Sequence, residues 1–294
     1  MARVFGDRTV TAVTNMARAV VSKDLIPSWL QNMPTAAKPM LPKTPRESAA
    51  GVYFTSCVNR IFGRQPAKER KLSLQEAMIA VSARAGMPLW IPEDVAGHCC
   101  ATIWHSKGYV EGNTIMANRT VESLLRWSES GKLPIVCDAT SCSLGLSSEV
   151  VEYLTPKNRE RHAQLKIFDS VAWAHDRLLP KLKIRRKAAS AVVHPSCSIN
   201  HLRLANKLHA LAVAMADEVV TPAAAGCCGF AGDRGFLHTE LTRSATAEEA
   251  EEVRARKFDA YIGSNRTCEI GLNLATGKDY ESFAYLLEEL TRPT

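Results

Sequence analysis

Two adjacent cysteines, Cys227 and Cys228, lie between Gly226 and Gly229, and Gly232 follows three residues later. Neighbouring thiols rarely form a disulfide with each other, because that bond needs a wider separation of the two Cα atoms. Glycines permit tight turns in which backbone N–H groups approach a bulky group closely. Soft thiolates near backbone donors are the ligands that zinc or an iron–sulfur cluster requires. The stretch therefore predicts a metal centre, with the three glycines forming the turns around it.

Eight of the nine cysteines fall into two sets, each with a single cysteine, an adjacent pair and a second single cysteine. The two intervals are 41 and 41 residues in the first set, and 29 and 39 residues in the second. A repeat of this kind indicates a duplicated structural unit. The sets, named the first quartet and the second quartet, are Cys57, Cys99, Cys100 and Cys142, and Cys197, Cys227, Cys228 and Cys268.

Four thiolates satisfy, by count, either one tetrahedral zinc ion or one four-iron cluster. Zinc usually takes pairs of ligands with two to four residues between them. Only Cys137 and Cys142 approach that spacing, and they occur in the first half alone. Adjacent cysteines point in divergent directions, so they suit a group with several metal atoms better than a single ion. The pattern therefore favours an iron–sulfur cluster, with zinc as the alternative.

Two further residues are candidate ligands. Cys137 lies inside a strand pattern, where a small buried hydrophobic role competes with that of a fifth ligand. His98 precedes Cys99 and could replace or support a thiolate, although packing is the more ordinary role of such a histidine. Charged residues also follow the two pairs, and we expect them to hold local turns: Lys107, Asp233 and Arg234.

No catalytic residue is predicted. The sequence has no Ser–His–Asp grouping, no phosphate-binding loop and no dinucleotide fingerprint, since the glycines of 226–232 enclose cysteines.

Strand and helix patterns alternate along the chain, and the quartet cysteines follow the strands. Alternation of this kind predicts an α/β fold with two pseudo-repeated units, each a small, mostly parallel sheet flanked by helices. Ligands of such sheets bind beyond the carboxyl ends of the strands, so each quartet is expected to converge there. Strands are predicted at 51–55, 88–92, 133–138, 191–194, 218–221 and 258–263. Helices are predicted at 10–21, 72–85 with Ser73 as N-cap, 114–130, 147–154, 200–216, 247–257 and 280–289.

These patterns divide the chain into four parts. Residues 1–49 are read as an N-terminal helix and a proline-rich linker, and residues 50–155 as the first cysteine-rich unit. Residues 156–190 are read as a helical, basic connection, and residues 191–294 as the second cysteine-rich unit.

Composition excludes several classes of protein. The 46% apolar and 23% charged residues are ordinary for a globular protein, and no apolar run is long enough to span a membrane. No secretory signal precedes the nine cysteines, so a cytoplasmic location with metal or redox chemistry is expected. The net charge of +7 carries no aromatic-interleaved basic motif, which argues against nucleic acid as a partner. A basic cluster within 181–187 is a solvated face, or a weak docking patch for an acidic partner or the inner face of a membrane.

The cysteine motifs resemble those of a known family. Residues 53–57, 106–109 and 227–236 are similar to the cysteine-rich CCG domains of the heterodisulfide reductases, the glycolate oxidase iron–sulfur subunit and the lactate utilisation proteins. The similarity extends over residues 50–290 and is strongest to the C-terminal part of FAD-linked D-lactate or D-2-hydroxyglutarate dehydrogenases. The sequence departs from the family in having Ala101 after the first pair, where the motif has glycine, and in lacking a terminal C-x-x-C.

The resemblance implies an oxidoreductase component that passes electrons from a reduced flavin, through one or two iron–sulfur clusters of the [4Fe–4S] type, towards a quinone or cytochrome. It assigns the cluster ligands to the eight quartet cysteines. It places FAD on a dehydrogenase partner or a missing domain, accompanied by a ferredoxin-like domain, with residues 34–49 as the tether. The alternatives are a zinc-stapled interaction domain and a thiol–disulfide oxidoreductase, similar to heterodisulfide reductase, that acts through Cys227 and Cys228.

Overall fold

Parallel strands form two sheets that share one strand order. The computed structural model describes residues 2–30, 33–63 and 72–293. Each sheet has four strands, in the orders β2-β1-β3-β4 and β6-β5-β7-β8, and every pairing is parallel. The strands are β1 (Gly51–Phe54), β2 (Leu89–Trp90), β3 (Ile135–Cys137), β4 (Ile167–Asp169), β5 (Ala188–Val193), β6 (Ala216–Val220), β7 (Ala260–Gly263) and β8 (Glu281–Ser282). The predicted α/β class, with two pseudo-repeated units, is confirmed.

Helices flank each sheet, and three of the four central strands are buried along their whole length. Every residue of β1, β3 and β7 is buried, as expected for parallel strands between two helical layers. The α-helices are α1 (Ala2–Val20), α2 (Cys57–Ile61), α3 (Leu74–Arg84), α4 (Thr102–Ser106), α5 (Val110–Trp127), α6 (Thr140–Ser147), α7 (Pro156–His162), α8 (Ser170–Trp173), α9 (Cys197–His201), α10 (Ala205–Met215), α11 (Arg234–Leu237), α12 (Thr239–Ala245), α13 (Ala247–Arg254), α14 (Arg266–Thr276) and α15 (Phe283–Thr291).

Local sequence signals account for several element boundaries. Helix α3 begins with the predicted N-cap: the Ser73 hydroxyl accepts a hydrogen bond from the Glu76 backbone N–H, and the Glu76 carboxylate accepts one from the Ser73 N–H. This reciprocal arrangement satisfies two backbone donors at the helix start. None of the helices in the described ranges is long and apolar enough to cross a membrane.

The prediction that residues 156–190 form a helical connection is wrong for residues 167–169 and 188–190, which lie in strands. Strand β4 lies within this stretch and pairs with β3, so it completes the first sheet. Three residues are too few to show a strand period, and only the neighbouring strand identifies them as part of a sheet. Arg186 of the basic cluster lies 2.6 Å from Glu289, which makes it part of a surface ion pair.

Other elements differ from the predictions by a shift or a break. The helix predicted at 147–154 is a 3₁₀ turn at Glu149–Tyr153, and α6 ends before it. The helix predicted at 200–216 is divided into α9 and α10, because Arg203 adopts a left-handed φ of 57° between them. Helices α2, α4, α6, α11, α12 and α14 were not predicted, and strand β8 replaces the start of the last predicted helix.

The segment before the first sheet packs on the rest of the molecule. Helix α1 is longer than the predicted helix of residues 10–21, and residues 34–49 contain no helix or strand apart from a single bridge between Ala36 and Phe62. The Ser28 N–H donates to the Phe236 carbonyl at 2.7 Å. Leu30 and Met33 are buried against Cys228 and other residues of the second half. This contact helps to bury Cys228 and Cys268 of the second quartet.

We expect the stability of the fold to depend on pH through Asp169, which ends β4. Its carboxylate is buried and accepts hydrogen bonds from the Val171 N–H at 2.8 Å and the Ser143 hydroxyl at 2.6 Å. Burial raises the pKa of Asp169 from 3.8 to about 7, against the lowering effect of these bonds. The protonated form is therefore the stable folded form, and its contribution is lost as the pH rises through about 7.

The test is Asp169→Asn, which cannot ionise and keeps the packing, the oxygen that accepts from the Val171 N–H, and an N–H that can donate to the Ser143 hydroxyl as the protonated carboxyl would. Urea denaturation between pH 5 and pH 8 should show the free energy of unfolding of the wild type falling by about 2–4 kcal/mol relative to the variant. Equal pH dependence of the two proteins would contradict the assignment.

Candidate metal centre

The single cysteines of the two quartets occupy matching places at the starts of helices. Cys57 and Cys197 are the first residues of α2 and α9, and each follows a serine, Ser56 or Ser196. The Ser196 hydroxyl accepts a hydrogen bond from the Ile199 N–H at 3.3 Å. Backbone N–H groups at a helix start lack partners within the helix, so they are donors available to a bound anion.

The last cysteine of each quartet also lies in the first turn of a helix. Cys142 and Cys268 are the third residues of α6 and α14, and a glycine follows three positions later in both, at Gly145 and Gly271. A Cβ added at Gly145 would lie 3.2 Å from the Cys100 carbonyl oxygen, and one at Gly271 would lie 3.8 Å from that of Cys228. Gly145 thus allows the Cys100 carbonyl to pack closely on α6, whereas the tight neighbours at Gly271 are the Thr242 methyl group at 3.0 Å and the Phe230 ring at 3.2 Å.

The two cysteine pairs end in the same left-handed turn. Ala101, after the first pair, has a φ of 67°, and Gly229, after the second, has a φ of 65°. The departure of Ala101 from the family motif therefore leaves the turn unchanged, although alanine occupies this region at a cost in strain. Gly232 is also left-handed, with a φ of 72°, whereas Gly226 has no positive φ.

The sulfurs of the first quartet form a connected series. The Cys57 and Cys99 sulfurs are 3.9 Å apart. Cys100 hydrogen-bonds with Cys142 and Cys99, which lowers the pKa of its thiol to about 5 despite burial. The bond to Cys100 raises the pKa of Cys99 to about 12. Cys137 is fully buried and hydrogen-bonds with Cys142, so it lies beside the quartet.

The sulfurs of the second quartet form two linked pairs. The Cys228 and Cys268 sulfurs are 2.9 Å apart, and both side chains are buried. A hydrogen bond with Cys197 lowers the pKa of the exposed Cys227 to about 5, and the Gly229 N–H also donates to its sulfur at 3.5 Å. Cys197 interacts electrostatically with Cys228 and Cys268, which places the two pairs side by side.

Within residues 2–30, 33–63 and 72–293, no three His, Cys, Asp or Glu side chains are grouped so that they could hold a metal ion. The quartet sulfurs are close in pairs instead of surrounding one point. Four thiolates, with N–H donors of helix starts and left-handed turns beside them, are a donor set suited to a group with several metal atoms. The residues therefore fit a cluster better than a single ion.

The predicted extra ligand His98 is held by packing. Its Nδ1–H donates to the Asp94 carbonyl at 2.9 Å, and its ring contacts the Trp127 ring edge-on with centroids 4.8 Å apart. Burial lowers the pKa of His98, so the ring is neutral near pH 7. These contacts explain the burial of His98 without a metal, and its role as a ligand stays a prediction.

The charged residues after the two pairs connect the halves. The Lys107 ammonium lies 2.8 Å from the Asp233 carboxylate, across the two turns that follow the cysteine pairs. We expected these residues to hold local turns, and for Lys107 and Asp233 that expectation is wrong. Both groups are partly exposed, so the pair contributes at most about 1 kcal/mol. The ion pair joins the two turns, and it contributes little to the free energy of folding.

The two halves meet through the elements that carry the quartets. The Thr140 and Ser196 hydroxyls are 3.2 Å apart, and the Ser141 hydroxyl donates to the Asn265 side-chain oxygen at 2.8 Å. Each of these residues lies within three positions of a quartet cysteine. The two candidate sites therefore border one shared interface.

Sequence reasoning missed the buried carboxylate that positions the first quartet. The Asp138 carboxylate accepts hydrogen bonds from the Tyr53 hydroxyl at 2.9 Å and from the N–H of Ser56 at 2.8 Å. Ser56 is the residue directly before Cys57. Burial raises the pKa of Asp138. An aspartate directly after the apolar strand of residues 135–137 was the available signal.

A buried charge pair at the interface was missed as well. Arg266 and Glu269 are both buried, with 2.9 Å between Nη1 and Oε2, and the Arg266 Nε–H donates to the Asn59 side-chain oxygen of the first half at 3.3 Å. The sequence gives no signal for this pair, because the partner from the first half lies 207 residues away.

Comparison with known proteins supports the assignment of the second half. Residues 191–273 match the family model of the CCG cysteine-rich domain, and this range contains the whole second quartet. The match confirms the family resemblance for this part of the chain. A search of curated proteins finds no match.

Proposed function

We propose, on the premise that residues 191–273 form a CCG cysteine-rich domain, that this chain is the iron–sulfur electron-transfer component of an oxidoreductase. Each quartet would hold one [4Fe–4S] cluster through its four thiolates. One observation carries the proposal: in both halves the two single cysteines of the quartet lie in the first turns of equivalent helices that follow parallel strands. The match to a CCG domain is compatible with such a role.

The residues of the chain would perform three tasks. The thiolates hold the cluster, which accepts and releases single electrons when bound. The buried members Cys100, Cys142, Cys228 and Cys268 keep water away from it. Backbone N–H groups at the helix starts and in the left-handed turns would be the donors available to its sulfurs, and such donors would tune the reduction potential.

We further propose a flavin-dependent D-2-hydroxy-acid dehydrogenase, of the D-lactate type, as the setting of this electron transfer. The resemblance of residues 50–290 supports this assignment. FAD on a partner subunit or domain would oxidise the substrate, and a quinone or cytochrome would receive the electrons. The ferredoxin-like domain would be joined through residues 34–49, and the two cysteine-rich units belong to the same proposal, with the first extended beyond residue 155 because β4 completes its sheet.

Metal analysis of anaerobically purified protein tests the proposal. We expect a brown protein with about four iron atoms and about four acid-labile sulfides per quartet, and a chromophore that dithionite bleaches. A colourless protein with stoichiometric zinc, which unfolds on chelation, would instead establish the zinc-stapled interaction domain.

A second candidate function rests on the Cys227 thiol. It is exposed, and its lowered pKa favours the thiolate that attacks disulfides. Cys227 would form a mixed disulfide with the substrate and release a thiol, and Cys197 would then displace the second thiol and form a Cys197–Cys227 disulfide. Metal-free protein should in that case reduce a disulfide substrate stoichiometrically, with one turnover in the absence of an added reductant.

A further inference from the structure

His194 is a buried histidine at the end of the strand that leads to the second quartet. It follows directly after β5 and precedes Cys197 by three residues, and its side chain is 1% exposed. Its Nδ1 lies 2.8 Å and 3.0 Å from the two carboxylate oxygens of Glu249, which is 2% exposed on α13. The Glu249 carboxylate therefore fixes the plane of the ring and occupies its Nδ1–H.

The other ring nitrogen of His194 is unused by the protein. Nε2 is buried and has no hydrogen-bond partner among the described residues. Buried polar atoms are almost always paired, so an unpaired nitrogen on a ring held by a carboxylate indicates a partner outside the chain. A carboxylate on one ring nitrogen is also the arrangement by which proteins orient histidines towards a metal centre.

The position of His194 points to the second quartet as the place of that partner. The imidazole is close enough to Cys227 to influence the pKa of its thiol. It also interacts electrostatically with the carboxyl group of Glu269, the residue next to Cys268. Cys227 belongs to one of the two linked sulfur pairs, and Glu269 directly follows Cys268 of the other.

The equivalent position of the first half has no such group. Phe54 occupies the equivalent position, three residues before Cys57, and its side chain is fully buried. The two candidate sites therefore share their thiolates and turns but differ at this strand end, where one half has a hydrocarbon ring and the other an imidazole.

We propose that Glu249 positions His194 so that its Nε2–H donates a hydrogen bond to a sulfur of the cluster held by the second quartet. The inference rests on the proposed iron–sulfur function and adds to it a residue that sets the potential of one site. His194 carries an Nε2–H together with its Nδ1–H only as the imidazolium, whose charge the buried Glu249 carboxylate balances at 2.8 Å. A donor of this kind stabilises the more negative, reduced cluster, so it raises the reduction potential of the second site.

The experiment is a potentiometric titration, followed by electron paramagnetic resonance, of the full chain loaded with iron and sulfide. The double variant His194→Phe with Glu249→Leu removes the donor together with its carboxylate, so no charge is left buried alone. We expect its equilibrium constant for reduction of the second site to fall about tenfold, which is about 59 mV for one electron. His194→Gln keeps an N–H near the Nε2 position, and we expect it to retain most of the wild-type potential.

His201→Gln is the matched control, because it makes the same change at an exposed histidine of α9. Its potential should equal that of the wild type. If the double variant does not fold, Glu249→Gln replaces it. This change is nearly isosteric and removes the carboxylate from the imidazole, so it should also lower the reduction potential of the second site.

The results separate the inference from the proposed function. Iron bound at the second quartet with the same potential in all folded variants would overturn the inference and leave the function standing. Strong nitrogen hyperfine coupling from labelled histidine is typical of direct coordination. It would show that His194 is a ligand of the cluster and would overturn the proposed hydrogen bond. A wild-type chain without iron at the second quartet would overturn both.

Discussion

Replacing Cys227 and Cys228 together by serine should remove the cluster of the second quartet and halve the iron content, from about eight to about four atoms per chain. Two of the four thiolates disappear, and serine hydroxyls are poor ligands for iron at neutral pH. The change is the largest we expect, because half of one ligand set is lost while the turn is preserved. Iron and sulfide analysis of the anaerobically reconstituted protein measures it.

Cys99 and Cys100 provide the corresponding variant in the first half, and Cys137→Ala provides the control. Serine at 99 and 100 should remove the other half of the iron. Cys137 is buried beside the first quartet, so Cys137→Ala distinguishes a packing role, with unchanged iron, from that of a fifth ligand. Full iron content after loss of both cysteine pairs would show that the quartets are not the ligands.

Substituting Gly229 by alanine should destabilise the fold by about 3 kcal/mol, from left-handed strain of about 1–2 kcal/mol and an overlap of about 1–3 kcal/mol. The residue has a φ of 65°, and an added Cβ would lie 2.7 Å from the Leu241 carbonyl oxygen and 2.9 Å from the Ala245 Cβ. These are a backbone atom and a helix side chain, neither of which can move aside cheaply. Urea denaturation of the purified protein measures the loss.

Ala101→Gly tests the same turn in the first half, where the expected result is different. Removing the left-handed strain gains about 1–2 kcal/mol, and removing a buried methyl group costs about 1 kcal/mol. We expect a net change within about 1 kcal/mol, because Ala101 is only 1% exposed and packs in a small apolar cluster. Strong destabilisation by Ala101→Gly would mean that the packing of the Ala101 methyl group contributes more free energy than the left-handed strain costs.

The chemistry of the site could be predicted from the sequence because its parts are local. The adjacent cysteines, the glycine at 229 and the repeated intervals are features of residue type and order alone. The predicted placement of cysteines after strands followed from the alternation of apolar runs and helical periods. These signals depend on backbone conformation and on side chains near in sequence, so they survive without knowledge of the fold.

Elements too short to show a period were decided by the tertiary structure. Strand β4 has three residues, and it becomes a strand only because β3 offers a free edge with backbone donors and acceptors. Helix α14 begins beside the interface, where Arg266 meets Asn59 of the first half. No local pattern contains that information.

The sequence by itself determined that two sets of four thiols lie at the ends of parallel strands, since strand alternation and duplication fix the side of the sheet on which they emerge. Only the tertiary structure decided which sulfurs are neighbours, and that the left-handed turn after Cys100 forms with alanine as it does with glycine. It also decided that the halves join beside the quartets and that Glu249 holds His194. These are contacts between residues tens to hundreds of positions apart, which packing selects and residue order does not encode locally.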